Sequence, residues 1–218
     1  MRKTVLFAAL ISIMTFSAAG AGKQKTVEIK DDIAGDSLYG WTMPIPRNWK
    51  SKSFNEPGVE RLFLQKKNYM INSSVKIYGG DYTIPSVTIY IQEFNGTMED
   101  FENLIKKGLE EHRSDNLIVS KFGLLNEGEF IVSGDVSINS IPARQVYLKR
   151  NYTRIIIVPD GSAEGKEKII RDHEVHEIYL IKRGGAMMVF QALCEREFYD
   201  VNGPEFQSLL TSITFSDK

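Results

Sequence analysis

Cysteine and histidine are the scarcest chemically reactive residues of this chain, whose 218 residues include one cysteine and three histidines. A disulfide needs two cysteines, so no intramolecular disulfide can form and the fold depends on its apolar core. The single Cys194 lies in the apolar run MMVFQALCE, where a free cysteine usually behaves as a small buried hydrophobic residue. We therefore expect Cys194 to be buried and to have no reactive role.

An excess of positive charge is also missing, because 27 lysines and arginines stand against 28 acidic residues. Nucleic acid and anionic membrane surfaces are bound by clustered Lys and Arg, so this balance argues against a nucleic-acid partner. A long apolar run is missing as well. The apolar stretch from Val5 to Phe16 is shorter than the roughly 20 residues of a membrane-spanning helix.

The first residues have the order of a secretory signal peptide: basic Arg2 and Lys3, the apolar stretch, and the small residues Ala19-Gly20-Ala21. We predict a signal peptide over residues 1–21, cleaved after Ala21, and a periplasmic or secreted bacterial protein. No cysteine lies near this site to carry a lipid anchor. After cleavage no transmembrane span is expected, and about 200 residues remain, which fits one domain.

Residues 22–37 are polar and indicate an N-terminal tether or an edge strand, followed by a single domain over 38–218. In YGWTMPIPRNWK, prolines at spacing two predict an edge strand that leads into a turn. Alternation or apolar character predicts further strands, and Gly184-Gly185 predicts a hairpin between the last two. The strand-like segments are VERLFLQKK, PSVTIYIQEF, NLIVSKFGLL, GEFIVSGDVSI, IPARQVYLKRNYTRIIIV, EVHEIYLIKR and AMMVFQALCE.

Two segments have the spacing of amphipathic helices. In NGTMEDFENLIKKGLEEH, Thr97 is a candidate N-cap, and apolar residues then recur at steps of three and four. In NGPEFQSLLTSITF, Asn202 or Gly203 is the candidate cap, with Pro204 in the first turn. Adjacent strands with few intervening helices favour an α+β fold, an antiparallel β-sheet with helices packed on its faces.

Gly35-Asp36-Ser37-Leu38 spells the motif that names the GDSL esterases, with Ser37 as the nucleophile. That family carries its serine after a buried strand and its base in an Asp-x-x-His. Here KDDIA precedes the motif, and no aspartate stands three residues before His112, His173 or His176. A serine needs a base held by a carboxylate, so we predict no catalytic residue. A GDSL-type esterase using Ser37 remains an alternative.

The segment RDHEVHEIY is the densest group of candidate metal ligands. On a strand, alternate residues share a face, so Asp172, Glu174 and His176 would point one way and His173 the other. A site formed by the first three is conceivable. Alternating charge on a solvated strand is the commoner meaning, and we predict no metal and no cofactor.

The order of these pieces resembles the PsbP-like family, which includes the DcrB envelope proteins and the Ran-binding Mog proteins. The likeness rests on a Pro-x-x-Trp turn at residues 46–49, a turn before a core strand at 139–143, and a last helix running into Ser-x-x-Phe at 212–215. Ser140-Ile141-Pro142 replaces the usual Gly-apolar pair, and residues 159–172 form a long charged excursion.

This resemblance implies a PsbP/DcrB/Mog-type α+β fold and a role in binding or assembly. Photosystem members of the family support a metal cluster and Mog members hold a small GTPase, but no binding residue of either can be matched here, so the ligand-binding residues remain unknown. We expect an exported, non-catalytic binding or accessory protein of the bacterial cell envelope. Its partner would be another envelope protein or a small ligand, and a small-ligand carrier with a pocket between sheet and helix is a further alternative.

Overall fold

A computed structural model describes residues 27–54, 58–67, 69, 76–78, 83–158, 161 and 165–216. The predicted signal peptide over residues 1–21 lies outside the described residues. Within them, no helix has both the length and the apolar character needed to cross a bilayer.

The described chain forms antiparallel strands with two α-helices. The strands are β1 Val27–Lys30, β2 Ile33–Asp36, β3 Trp41–Pro44, β4 Trp49–Ser53, β5 Glu60–Lys66, β6 Lys76–Tyr78, β7 Ser86–Glu93, β8 Gly128–Ile138, β9 Ile141–Val158, β10 Lys166–Arg183, β11 Ala186–Glu195 and β12 Thr214–Phe215; the helices are α1 Met98–Glu111 and α2 Tyr199–Thr211.

The strands form a small and a large sheet. The small sheet has the order β1-β2-β3-β12, and the large sheet has the order β4-β5-β7-β11-β10-β9-β6. Strand β8 also pairs with β9, along residues 141–150, while β6 pairs with residues 155–157 farther along the same strand. The predicted α+β fold with an antiparallel sheet is confirmed.

Each face of the large sheet buries its own apolar cluster. On one face, Phe190 packs with Trp41 of the small sheet and Phe206 of α2. On the other, Val189 packs with Phe101 and Ile105 of α1. Successive side chains of a strand point to opposite faces, which is why neighbours in β11 belong to different clusters. Burying one such large side chain stabilises the fold by about 1.5–3 kcal/mol.

Helix α1 begins where the sequence predicts. The Thr97 hydroxyl accepts from Asp100 N at 3.0 Å, while an Asp100 carboxylate oxygen accepts from Thr97 N at 2.8 Å. This reciprocal capping box satisfies two backbone donors that a helix start leaves without partners. The apolar stripe, including Phe101 and Ile105, faces the sheet.

The predicted start of α2 is wrong. The helix begins at Tyr199, so Pro204 lies inside it and Asn202 is not its cap. The Asn202 amide instead donates to Phe198 O at 2.8 Å, and its oxygen accepts from Lys66 Nζ at 2.9 Å. Through Asn202, the first turn of α2 is thus held by Phe198 and Lys66, two residues that lie outside the helix. The predicted apolar stripe of α2 is buried.

Of the two alternatives predicted for residues 22–37, a tether or an edge strand, the edge strand holds for residues 27–36, which form the hairpin β1–β2 with β1 at the edge of the small sheet. Val27 and Ala34 are fully buried there. Asp31 and Asp32 form the turn with φ angles of 51° and 58°, a left-handed geometry that Asp tolerates better than most residues. Strand β3, in contrast, is not the predicted edge strand, because it lies between β2 and β12.

Two other predictions fail at particular segments. Residues 116–125, predicted as a strand, form turns and a short 3-10 helix at Val119–Lys121. The Asn116 side chain accepts from Ile118 N and Val119 N at 3.0 and 3.1 Å, which favours a turn over a strand ladder. The predicted excursion 159–172 is shorter, because β10 begins at Lys166 and pairs with the end of β9.

Candidate functional site

A polar cleft of about 870 Å³ is lined by residues of β9 and β10, and of the residues singled out from RDHEVHEIY it includes Asp172, His173 and Glu174 but not His176. The register of the two strands sets its composition, since Glu174 lies opposite Arg150 and Asp172 opposite Tyr152. Thr83, just before β7, forms part of another wall.

Glu174 is the centre of this cleft and is only 3% exposed. Arg150 holds it through Nε and Nη2, both 2.7 Å from Oε2, and the Thr83 hydroxyl donates to Oε1. Burial raises the pKa of Glu174, but the nearby His176 ring, the hydrogen bond from Thr83 and the charge of Arg150 outweigh it. The resulting pKa is about 2, so the group stays a carboxylate at neutral pH.

His176 lies behind Glu174 and is 2% exposed. Its Nδ1 lies 2.9 Å from the Gln191 amide nitrogen, and the Gln191 oxygen accepts from Tyr90 at 3.0 Å. Because an amide nitrogen can only donate, His176 Nδ1 accepts and its proton is on Nε2, 3.6 Å from Glu174 Oε2. Burial lowers the pKa of His176 despite Glu174, so the ring is neutral.

A second carboxylate, Glu195, is bound in the same region and was missed by the sequence reasoning. Arg154 donates to both of its oxygens, at 3.1 and 2.7 Å, Tyr152 donates at 3.0 Å, and Thr83 N donates at 2.7 Å. The only sequence signal is the placement of Arg150, Tyr152 and Arg154 at spacing two on β9. Their acidic partners, Glu174 and Glu195, are set by the register between strands and cannot be identified from the neighbouring sequence.

The three candidate metal ligands of β10 do not all come together. Glu174 and His176 are neighbours, but an Asp172 carboxylate oxygen accepts from His173 N at 2.8 Å and lies 3.2 Å from His173 Nδ1. In the residues that the structure describes, no group of three or more His, Cys, Asp or Glu side chains is arranged to hold a metal ion.

The GDSL motif spans the end of β2, with Gly35 and Asp36, and the start of the turn to β3, with Ser37 and Leu38. Asp36 Oδ1 accepts from Leu38 N at 2.9 Å and from Tyr39 N at 3.1 Å, so the aspartate shapes the turn that exposes Ser37. His112 Nδ1 lies 2.9 Å from Leu125 O, at the end of α1. The other two histidines have the partners given above, so each ring is engaged by a residue other than Ser37.

A third carboxylate, Glu177, is buried on the opposite face of β10, against α2. Tyrosine hydroxyls and glutamine amides donate to it from β9, β10 and α2. The donors are Tyr147 at 2.9 Å, Tyr179 at 2.5 Å, Tyr199 at 3.0 Å, and Gln145 and Gln207 at 2.8 Å. Burial raises the pKa of Tyr179 and of Tyr199, which therefore remain protonated donors.

An apolar cleft of about 470 Å³ lies above this cluster, between the sheet and the start of α2. Its apolar side chains include Ile131 and Val132 of β8 and Val175 of β10, and Tyr147 and Tyr199 join the lining. The titratable residues that line it, apart from the tyrosines, are Lys149, His173, Arg196 and Asp200, three of them basic.

The hydrogen bonds of these carboxylates make them poor general bases. A general base must be able to accept a proton from a substrate, whereas Glu174, Glu177 and Glu195 each accept several hydrogen bonds from the protein. Burial also raises the pKa of the Cys194 thiol to about 12. The carboxylates hold strands and helices together, and the apolar cleft is open to a partner.

Neither a protein-family model nor a curated protein sequence matches the chain. Solved structures that it resembles include the PsbP protein of Synechocystis sp., at 12% identity and a TM-score of 0.43 over 92% of this chain and 98% of that one. The yeast Saccharomyces cerevisiae Ran-binding protein Mog1p shows 9% identity and a TM-score of 0.45 over 87% and 97%.

A third solved structure is LpqN of Mycobacterium tuberculosis, a protein involved in cell envelope biogenesis, at 11% identity and a TM-score of 0.42 over 89% of this chain and 91% of that one.

Proposed function

We propose that the protein is an exported, non-catalytic binding or accessory protein of the bacterial cell envelope. The observation that supports a binding role is the open apolar cleft. The buried carboxylates Glu177 and Glu195, in contrast, already accept hydrogen bonds from the protein's own donors. A cleft of this size and lining suits a ligand or a side chain of a partner.

Export is proposed from the basic, apolar and small-residue order of residues 1–21, and it has its own test. We expect the expressed full chain to appear in the osmotic-shock or culture fraction with an N-terminus at Gly22, as intact mass would show. Ala19→Arg/Ala21→Arg replaces the small residues before the cut and should leave an uncleaved chain. A wild-type chain of full mass in the cytoplasm would contradict export.

The esterase alternative has a separate test. Purified protein should not hydrolyse p-nitrophenyl acetate above the rate given by Ser37→Ala, because the three histidines are engaged elsewhere. Hydrolysis that disappears in Ser37→Ala would overturn the non-catalytic assignment.

A further inference from the structure

Strand β8 borders the apolar cleft and presents a long edge. Among the described residues, it pairs with β9 over Gly128–Ile138. An edge strand offers backbone N–H and C=O groups to which another extended chain can add. GEFIVSGDVSI contains no proline or lysine, two of the devices that protect natural edge strands, and its one β-bulge leaves regular pairing with β9 from Val132 to Ile138.

A β-bulge organises the side chains of this edge. The register shifts between Phe130 and Val132, so Ile131 is the additional residue. Phe130 packs toward α1, and Ser133 donates to Glu102 of that helix at 2.9 Å. Ile131 and Val132 are each 52% exposed and line the cleft. The bulge thus places two apolar side chains beside the cleft.

Gly134 follows directly in the same strand. A β-carbon at this position would meet nothing within 4 Å, and the φ angle is not in the left-handed region. Neither crowding within the chain nor backbone geometry therefore requires glycine here. A glycine inside a strand often marks a place where another backbone approaches closely.

The charges of the cleft define the chemistry of an occupant. Lys149 is paired with Glu129 at 2.9 Å and Arg196 with Asp200 at 3.3 Å, both as partly exposed pairs. Such pairs contribute about 0–1 kcal/mol, so a carboxylate from a ligand can join or replace them. The two cations of its lining, Lys149 and Arg196, outnumber its one carboxylate, Asp200, so the cleft favours a negatively charged occupant.

A second copy of β8 does not supply that charge. Its acidic residues, Glu129 and Asp135, lie 2.9 and 2.8 Å from Lys149 and Arg144 of their own chain, so each would have to leave a cation of its own strand pair to reach the cleft of another copy, with no net gain in ion pairs. A free amphiphile would use the cleft but leave the backbone edge unused. An extended peptide uses both features, because strand addition combines backbone hydrogen bonds with pockets for side chains.

We propose that β8 binds an extended segment of a partner protein, which adds as a strand, places an apolar side chain in the cleft and directs an acidic residue to Lys149 and Arg196. This proposal rests on the binding function proposed above and names its surface and the chemistry of its partner.

The test uses the mature chain as bait for a phage-displayed library of random linear peptides. Enriched peptides should carry alternating apolar residues with at least one Asp or Glu. Calorimetry should show about tenfold weaker binding to Val132→Lys and to Arg196→Gln, because each removes a contact at the centre of the surface. Amide hydrogen exchange should slow along β8 when the peptide binds.

Matched controls separate the surface from general effects. Leu117→Lys also replaces an exposed aliphatic residue, 61% exposed, and Arg113→Gln also removes an exposed arginine; neither residue lines the cleft, and neither variant should change peptide affinity. Unaltered binding to Val132→Lys, or no enrichment over empty beads, would overturn the proposal.

Two other occupants of the cleft would give different results, and either result would count against the peptide proposal. Dimerisation that Val132→Lys abolishes in sedimentation would assign the surface to a second copy. Binding of sodium decanoate in the cleft without any peptide binding would assign it to an amphiphile. None of these outcomes changes the export test, so a failure here is distinct from a failure of the proposed location.

Discussion

Arg154 and Glu195 form an ion pair in which both side chains are buried, 5% and 0% exposed, with two hydrogen bonds of 3.1 and 2.7 Å. Removing one partner of a buried pair leaves an uncompensated charge and typically costs about 3–5 kcal/mol. We therefore expect Arg154→Met and Glu195→Gln each to lower the free energy of unfolding by about 3 kcal/mol. Most of this cost is desolvation of the remaining group.

The double variant Arg154→Met/Glu195→Gln should lose only about 1 kcal/mol, less than either single variant and far less than the roughly 6 kcal/mol of two independent changes, because no unpaired charge remains buried. Urea unfolding measures this difference. With a slope of about 2 kcal/mol per molar urea, each single variant should shift the midpoint by about 1.5 M and the double variant by about 0.5 M.

The exposed pair Lys107–Glu111, 3.8 Å apart on α1, is the matched control. Its double-variant cycle, Lys107→Met with Glu111→Gln, should give a coupling energy of about 0.5 kcal/mol or less. If the Arg154–Glu195 cycle gave the same small coupling with an unchanged slope, the reasoning that this pair is buried and mutually dependent would be refuted.

Three further predictions concern single residues. Thr97→Ala removes the capping box of α1 and should cost about 1 kcal/mol in urea unfolding, whereas Thr97→Ser should retain most of it; equal losses would contradict the cap. Because the pKa of Glu174 is about 2 in the folded protein and ordinarily 4.5, its stabilising contribution is complete above pH 4.5 and is lost as the pH falls toward 2. Glu174→Gln should flatten that part of a pH–stability curve, and an unchanged slope would contradict the shift. The Cys194 thiol, with its pKa raised to about 12, should react with Ellman's reagent at pH 8 only when urea unfolds the chain; fast labelling of the native protein would contradict its burial.

Local patterns predicted the elements whose determinants lie close together in the chain. Thr97 and the stripe through Phe101 and Ile105 define α1 because the cap and the repeat act within a few turns. Gly184, with a φ angle of 53°, forms the turn between β10 and β11 as its dipeptide predicted. These signals do not depend on distant partners.

Elements that depend on distant contacts were predicted poorly. The start of α2 is anchored by Lys66, far away in sequence, so the usual position of Pro204 near a helix start was misleading. Residues 116–125 have the apolar content of a strand, yet Ile118 and Val119 pack against α1 from a turn. Strand β1 belongs to the small sheet, where its Val27 is buried in one apolar cluster with residues of β2 and β3.

The candidate sites were predicted least. The sequence singled out Asp172, Glu174 and His176, and the structure brings only the last two together. The partners of the buried carboxylates are separated by tens of residues and meet through strand register, as Arg154 meets Glu195 from another strand of the large sheet. A pairing shifted by one residue would move each side chain to the other face.

The amino-acid sequence by itself determined the antiparallel α+β class, the capped helix α1 and the buried character of Cys194, because alternation, capping and apolar spacing act over short distances. Only the tertiary structure decided that the Asp36 carboxylate stabilises the turn after β2 and that Glu174, Glu177 and Glu195 each accept several hydrogen bonds from the protein. The same is true of the cleft beside β8. These features depend on which residues become neighbours across strands, and that is set by register and packing of the whole chain.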